Sequence, residues 1–445
     1  MTKLFGTDGV RGLANRELTP ELAFQLGRAA GTLFKEPGLP AAIIVGRDTR
    51  LSGSMLEGAL AAGICSAGVD VYAAGIIPTP AIAYLTRTME TCAGAVISAS
   101  HNPAPDNGIK FFNHQGFKLA DELEEQIEKL IASGMEGAAR PTGGEIGKII
   151  PFPEGSGRYA EFLKSTVNCD FQGLKIVLDC ANGAAFQVAP KVFQDLGAQV
   201  ISLGDLPDGE NINDGCGSTH PELLQEAVKK FKARLGLAFD GDADRVIAVD
   251  EKGQIVNGDS ILVICGLALQ KKRDLNGKVV VTIMSNLGLK QAFEKAQVEV
   301  LETKVGDRYV LEKMVETGAV LGGEQSGHII FLRHNTTGDG IVTGLQLLET
   351  LTGSGGSLSG LAAQMPTLPQ VLKNVRVSDK EKWDGNQGIL RAVRQGEQVL
   401  LGRGRLLVRS SGTEPLIRVM AEGPDGEELE EIAGRVAEAI QRELG

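Results

Sequence analysis

Long hydrophobic runs are missing from this chain. No apolar stretch in its 445 residues approaches the ~20 residues that cross a bilayer, so no membrane partner is expected. The opening MTKLFG lacks the hydrophobic segment of a secretory signal, and the expected compartment is the cytoplasm. A basic excess is also missing. The formal net charge is −11, whereas a nucleic-acid binder needs a cationic face; a few local arginines still suffice for a small anionic ligand. The six cysteines (Cys65, Cys92, Cys169, Cys180, Cys216, Cys265) form no CxxC pair, which argues against zinc ribbons and redox motifs and for buried free thiols. Aromatics are few at 4%. Several nucleotide and hydrolase signatures are absent: the Walker A loop, GxGxxG between a strand and a helix, HExxH and GxSxG.

Glycine, by contrast, is abundant at 58 residues, and many glycines follow apolar runs, as in backbone-rich ligand loops. Strand-like runs alternate with amphipathic stretches, which predicts an α/β protein with a largely parallel layer. Three strand, polar turn, helix passages begin near residues 43, 176 and 280 and suggest related units of roughly 100 residues. A Gly/Pro-rich stretch at 134–157 reads as a linker, and a second break falls near 368. The expected domains are therefore 1–150, 151–254, 255–368 and a smaller α+β domain at 369–445. A helix over 56–67 with Ser54 as its N-cap is also expected.

Four stretches carry chemistry. The buried-looking strand 93–97 ends in Ser98-Ala99-Ser100-His101-Asn102-Pro103, and strand carboxyl ends are where open α/β sheets bind ligands. Alone, Ser100 reads more readily as a turn residue. Asp240, Asp242 and Asp244 alternate in a turn; carboxylates this close repel unless a hard cation shares them, and Mg²⁺ with a phosphate suits three protein oxygens. An EF-hand is rejected because Arg245 stands where its glycine is needed and the flanks read as strands. A solvated acidic turn is the alternative. Gly323-Glu324-Gln325-Ser326-Gly327-His328 offers polar partners for sugar hydroxyls. Arg409-Ser410-Ser411-Gly412-Thr413 with Arg418 has the composition of a phosphate cradle, or of a polar hairpin loop. Lys110 suits a general acid/base or charge stabiliser, but also a surface lysine. Around Arg11, three glycines suggest a loop approached closely by something else, or an ordinary turn.

In this order, together with Phe5 to Gly12 and Val305-Gly306-Asp307-Arg308-Tyr309, these motifs resemble the α-D-phosphohexomutase family over the whole chain. The resemblance implies four domains around a central cleft: three α/β/α units with mixed sheets, then a smaller α+β C-terminal domain. It implies that Ser100 carries a phosphoryl group and that Asp240, Asp242 and Asp244 bind one Mg²⁺ with the phosphoserine oxygen. Arg245 and Lys110 would lie beside the transferring phosphate, and His101 and Arg11 join the catalytic set. Glu324, Ser326 and His328 would meet sugar hydroxyls, and Arg409, Ser411, Gly412, Thr413 and Arg418 the non-reacting phosphate. Ser410 departs from a residue that is often Lys or Pro in the family. The implied activity interconverts glucosamine 6-phosphate and glucosamine 1-phosphate through glucosamine 1,6-bisphosphate, toward UDP-N-acetylglucosamine. Its rivals are glucose or mannose phosphate as substrate, a non-catalytic sugar-phosphate sensor, and a Mg²⁺-dependent phosphatase. Oligomeric state is open, with a homodimer the assembly considered.

Overall fold

The run AGAVI has only small and β-branched residues, with no polar group to solvate. It forms a strand buried on both faces (Ala93–Ile97). It belongs to a computed structural model that describes residues 4–6, 8–35, 37–380, 382–411 and 415–445. The elements run β1 (Val10–Leu13), α1 (Pro20–Leu33), β2 (Ala42–Arg47), α2 (Ser52–Ser66), β3 (Asp70–Ile76), α3 (Thr79–Thr88), β4 (Ala93–Ile97), β5 (Asp106–Asn113), α4 (Asp121–Ala132), β6 (Ile149–Pro151) and α5 (Glu154–Ser165). Next come β7 (Lys175–Asp179), α6 (Val188–Asp195), β8 (Gln199–Leu203), α7 (Glu222–Phe231), β9 (Leu235–Phe239), β10 (Val246–Asp250) and β11 (Ile255–Val256). A third round holds α8 (Gly258–Lys272), β12 (Lys278–Thr282), α9 (Leu287–Lys295), β13 (Glu299–Thr303), α10 (Asp307–Thr317), β14 (Leu321–Gly323), β15 (Ile329–Phe331), α11 (Gly340–Ser354) and α12 (Leu358–Ala362). The chain closes with β16 (Gln370–Arg376), α13 (Gln387–Leu400), β17 (Arg405–Ser410), β18 (Leu416–Glu422) and α14 (Gly426–Leu444).

One compact unit spans residues Met1–Met284 and Gln297–Gln364. It holds three mixed sheets, ordered β1-β5-β4-β2-β3-β6, β11-β10-β9-β7-β8 and β13-β12-β14-β15. Their pairing repeats. A central strand (β2, β7, β12) lies parallel to both neighbours, and the outer neighbour on one side (β4, β9, β14) turns back into an antiparallel partner (β5, β10, β15). The threefold repeat read from the sequence is therefore a repeat of topology. Each β4-β5 type turn occupies the same place in its sheet, and these turns carry the Ser100, Asp240–Asp244 and Glu324–His328 motifs.

The other unit joins Ser285–Ala296 to Met365–Gly445. Its three strands are antiparallel, β16-β18-β17, over a core of Ile389, Leu400, Ile417, Val419, Leu429, Ile432 and Ile440. The α9 segment is tied to it by the main-chain N–H of Leu287, which donates to Glu422 (2.7 Å), and by Asn286, which donates to the Leu368 carbonyl (2.8 Å).

Three expectations need correction. The second helix starts at Ser52, and Ser54 is not its cap; the Ser54 hydroxyl instead donates back to the Leu51 carbonyl at 3.4 Å. The stretch 134–157 is not all linker. Ile149–Pro151 pairs with β3 as an edge strand, where Pro151 is tolerated because an edge leaves one row of N–H groups unused, and α5 begins at Glu154. Val10–Leu13 around Arg11 is an edge strand paired with β5 rather than a loop. Among the described residues, no helix is long and apolar enough to cross a membrane.

Candidate active site

Ser100 ends β4's approach to the surface of its sheet with φ +52°. That left-handed conformation costs a non-glycine residue about 1–3 kcal/mol, so the surroundings must impose it. They do so through a buried clamp. The Arg50 guanidinium is 1% exposed and spends all its directions on the turn. It donates to the carbonyls of Ser100 (3.0 Å), Asn102 (2.8 Å), Asp106 (3.0 Å) and Pro103, and its Nε donates to Asp48 at 2.9 Å. Asn213 donates to the same Ser100 and Asn102 carbonyls (2.9 and 3.0 Å). Asp48 also accepts the Ser98 hydroxyl at 2.6 Å, and the Ser98 oxygen accepts the Ser100 N–H at 2.9 Å. The Ser100 N–H is thus held by Ser98 of its own turn, and the Ser100 and Asn102 carbonyls by Arg50 and Asn213 from elsewhere in the fold.

The result aims Ser100 Oγ at the acidic turn. The hydroxyl donates to Asp240 Oδ2 at 2.5 Å, with His101 Nδ1 at 3.3 Å. The two turns touch through backbone as well. A β-carbon on Gly241 would sit 2.6 Å from the Ser100 carbonyl oxygen, so only glycine fits there. Candidate ligand oxygens of Asp240, Asp242 and Asp244 lie within 4.8 Å of one another, all three residues buried. Burial, then the charges of Asp244 and Asp242, push the Asp240 carboxyl far above the usual carboxylate range. Burial acts the same way on Asp244, but His328 and Lys110 outweigh it and hold that carboxyl well below the range. Asp242 Oδ1 and Asp244 Oδ1 are buried without a hydrogen-bond partner. Orphaned, converging carboxylate oxygens beside a serine hydroxyl fit an oxygen-loving divalent cation.

Cationic and imidazole groups close around this pair. Lys110, on β5 and 3% exposed, reaches Asp242 at 3.2 Å and Asp244 at 3.8 Å. Thr79 donates to the same Asp242 oxygen (2.7 Å). The Arg245 N–H donates to Asp240 (3.1 Å) and its Nε lies 3.7 Å from Asp244. Burial, then the charges of Arg245 and Arg11, pull the His101 imidazole down to about 4, so it is neutral at ordinary pH. Arg11 is held by Asp8 at 3.1 Å. Asp8 is in turn bridged by the half-buried Lys118 to Asp307 at the start of α10.

The third motif arrives by an isolated bridge between Arg245 and His328 and by the Val246 N–H on the Gly327 carbonyl (3.1 Å). His328 is 2% exposed. Its Nε2 accepts the Gly338 N–H at 3.0 Å and its Nδ1 lies 3.6 Å from Asp244, which makes it a brace of the acidic turn. Glu324 is partly exposed, its carboxyl pushed up by burial. Ser326 is exposed at the turn's tip.

In the C-terminal unit, Arg409 and Arg418 face each other across β17 and β18, and burial, then Arg418, lower Arg409. Two like charges at one register position favour an anion. Ser411 is buried in the same turn, while Gly412 and Thr413 lie outside the described residues.

The structure thus gathers Ser100, His101, Lys110, Asp240, Asp242, Asp244, Arg245, Arg11, Glu324 and His328 in one place. Asp48, Arg50, Asn213, Thr79 and Lys118 were not anticipated. Asp48 and Arg50 had one available signal: a charged cluster, Arg47-Asp48-Thr49-Arg50, just past the end of a strand that neighbours β4.

Comparison with known proteins places the chain in a family. Family models described as phosphoglucomutase/phosphomannomutase match in order: α/β/α domain I at residues 2–138, domain II at 157–253, domain III at 257–368 and the C-terminal domain at 372–439. A phosphoglucosamine mutase of Carboxydothermus hydrogenoformans is 59% identical, covering 99% of this chain and all of its own. The crystal structure of a Burkholderia thailandensis phosphoglucomutase/phosphomannomutase family protein superposes with TM-score 0.84 at 27% identity, over 99% of this chain and 98% of that one. An Aspergillus fumigatus N-acetylphosphoglucosamine mutase, solved with GlcNAc-6P and magnesium, shares the fold at TM-score 0.69 and 18% identity, over 99% and 95% of the two chains. With four matched domains in order and a relative this similar over its full length, the chain belongs to the phosphoglucomutase/phosphomannomutase family of phosphohexomutases.

Proposed function

We propose that this enzyme interconverts glucosamine 6-phosphate and glucosamine 1-phosphate, with Ser100 as the phosphoryl carrier and glucosamine 1,6-bisphosphate as the intermediate, and so supplies the route to UDP-N-acetylglucosamine. The observation that carries the reading is the clamped, left-handed Ser100, whose hydroxyl lies 2.5 Å from an acid of a buried carboxylate triad. The amino-sugar substrate rests on the phosphoglucosamine mutase name of relatives 57–59% identical over nearly the whole chain.

Asp240, Asp242 and Asp244 would hold one Mg²⁺ together with the serine oxygen. When bound, the cation offsets the negative charge of the phosphoryl oxygens. The protein's own residues do the rest. Phosphoryl transfer asks mainly for positioning and charge stabilisation. Arg50, Asn213 and Ser98 fix the serine. Lys110, Arg245 and Arg11 bring positive charge to the transferring group. Neutral His101 and Asp240 are the two acceptors within reach of the Ser100 proton. Glu324 and Ser326 would meet sugar hydroxyls, and Arg409, Ser411, Gly412, Thr413 and Arg418 the phosphate that does not react. First, phosphoserine gives its group to the sugar phosphate; the bisphosphate then turns over and returns its other phosphoryl to Ser100.

The test compares kcat/KM for glucosamine, glucose and mannose phosphates, with Mg²⁺ and a trace of the matching bisphosphate, in wild type and Ser100→Ala. A strong preference for glucosamine phosphate that vanishes in a folded Ser100→Ala protein is expected. Preference for glucose or mannose phosphate would overturn the substrate. Retained turnover in Ser100→Ala would overturn the carrier.

A further inference from the structure

Arg28 occupies the inner side of α1 and is 3% exposed, yet its buried Nε has no hydrogen-bond partner. A buried guanidinium nitrogen is normally paired. It lines a groove of about 520 Å³ between α1 and the stretch that follows α4. The second cation there is Arg140, exposed, which forms no ion pair among the described residues. The groove's one acid, Glu21, sits seven positions before Arg28, two helical turns and roughly 10 Å along α1; it is exposed and paired with neither arginine. Phe24 and Met135 supply an apolar wall. Burial, and then the charge of Arg140, lower Arg28 below the ordinary arginine range, as expected for two cations lacking a counter-ion.

We infer that this groove is a second anion site, separate from the Ser100 centre, taking a phosphate ester whose non-phosphate part has an apolar face. Guanidinium forks match phosphate oxygens in pairs, and two of them line this groove in a chain whose net charge is −11. The apolar wall selects an ester over free phosphate, because inorganic phosphate has nothing to lay against Phe24 and Met135. None of the residues invoked belongs to the proposed catalytic set.

The probe is phenyl phosphate, titrated calorimetrically into the full-length protein. An Arg409→Ala/Arg418→Ala background removes the cradle proposed for the substrate's phosphate. Binding is expected to persist in that background and to weaken roughly 10- to 100-fold in Arg28→Met and in Arg140→Met, the loss of one charge-assisted pair. Inorganic phosphate is expected to bind more weakly than phenyl phosphate. Arg140 is exposed, so its variant remains informative even where Arg28→Met folds poorly. Mutase turnover without the probe should be unchanged in Arg140→Met. Equal binding by wild type and Arg140→Met, or no binding in the cradle-free background, would overturn the site. So would an Arg140→Met protein that binds no phenyl phosphate differently but dissociates from dimer to monomer, since the arginines would then face a second copy of the chain.

Discussion

Arg50→Lys keeps the charge at the clamp and removes its shape. The guanidinium makes five contacts, to Asp48 and to the carbonyls of Ser100, Asn102, Pro103 and Asp106. An ammonium has three donors, so at least two of the five bonds from Arg50 are lost. Losing a hydrogen bond from a charged donor costs about 1.5–3 kcal/mol, or roughly 3–6 kcal/mol for two. The Ser100 turn is already held in a disfavoured conformation, so relaxing it is the easiest way to recover part of that energy. A displacement near 1 Å lowers turnover about 100-fold. The expected result is therefore a kcat about 100-fold lower, with KM for the sugar phosphate changed less than threefold because the other phosphate's cradle is untouched. Steady-state kinetics and urea unfolding measure both parts. Arg403→Lys is the control. Its bidentate pair with Glu428 lies at the surface, so little change in urea unfolding and no kinetic effect are expected. An Arg50→Lys enzyme with wild-type kcat would refute the claim that the clamp sets the serine's position.

Further outcomes follow from the same geometry. Burial and the charges of Asp244 and Asp242 already hold the Asp240 carboxyl toward its neutral form, so Asp240→Asn should leave the Tm of the protein in EDTA nearly unchanged. The rise in Tm on adding Mg²⁺ should disappear and turnover should fall below about 1%, the factor expected when transition-state charge loses its partner; a preserved Mg²⁺ response would contradict the triad's role. Burial pushes the thiols of Cys216 and Cys265 up to about 12. Their thiolate fraction at pH 8 is then about one in ten thousand, and iodoacetamide should modify the native protein only at the half-buried Cys169. Mass mapping that finds native Cys216 or Cys265 labelled quickly would show that their surroundings open. His101, pulled down to about 4, is depressed below its unfolded value of about 6.5. Its contribution is present above pH 6.5 and is lost as pH falls toward 4, so His101→Gln should reduce the acid sensitivity of urea unfolding in that window and leave it unchanged at pH 8.

The strands around the site were readable because each is a short apolar run ended by polar residues, as in 93–97 and 235–239. The Ser100, Asp240–Asp244 and Glu324–His328 motifs each allow a bland reading alone, as a turn or a solvated loop, and were legible as a site through their order along the chain. What holds them was less visible. Nothing local to Asp48 and Arg50 says that they reach the carbonyls of residues 100–106, because such contacts depend on β2 lying beside β4. His328 was read as a sugar partner by residue type, whereas its burial against Asp244 and Gly338 is set by the bridge to Arg245. The helix α5 hid behind Gly155 and Gly157, and β6 behind Pro151: residues that discourage regular structure locally but are accepted where packing or an edge position suits them.

The excursion of α9 bears on how the chain comes to be folded. Asn286 and Leu287 emerge from the ribosome well before Leu368 and Glu422, to which they are bonded in the finished unit. During synthesis this helix has to wait, its buried side unpartnered, until β16 and β18 exist. A truncated chain ending near residue 364 would carry the three α/β repeats and still present Leu289, Ala292 and Phe293 as a sticky surface. Premature termination in the last fifth of the chain should therefore yield aggregates rather than a smaller soluble enzyme, and cutting between residues 364 and 369 should fail to release two independent folded pieces.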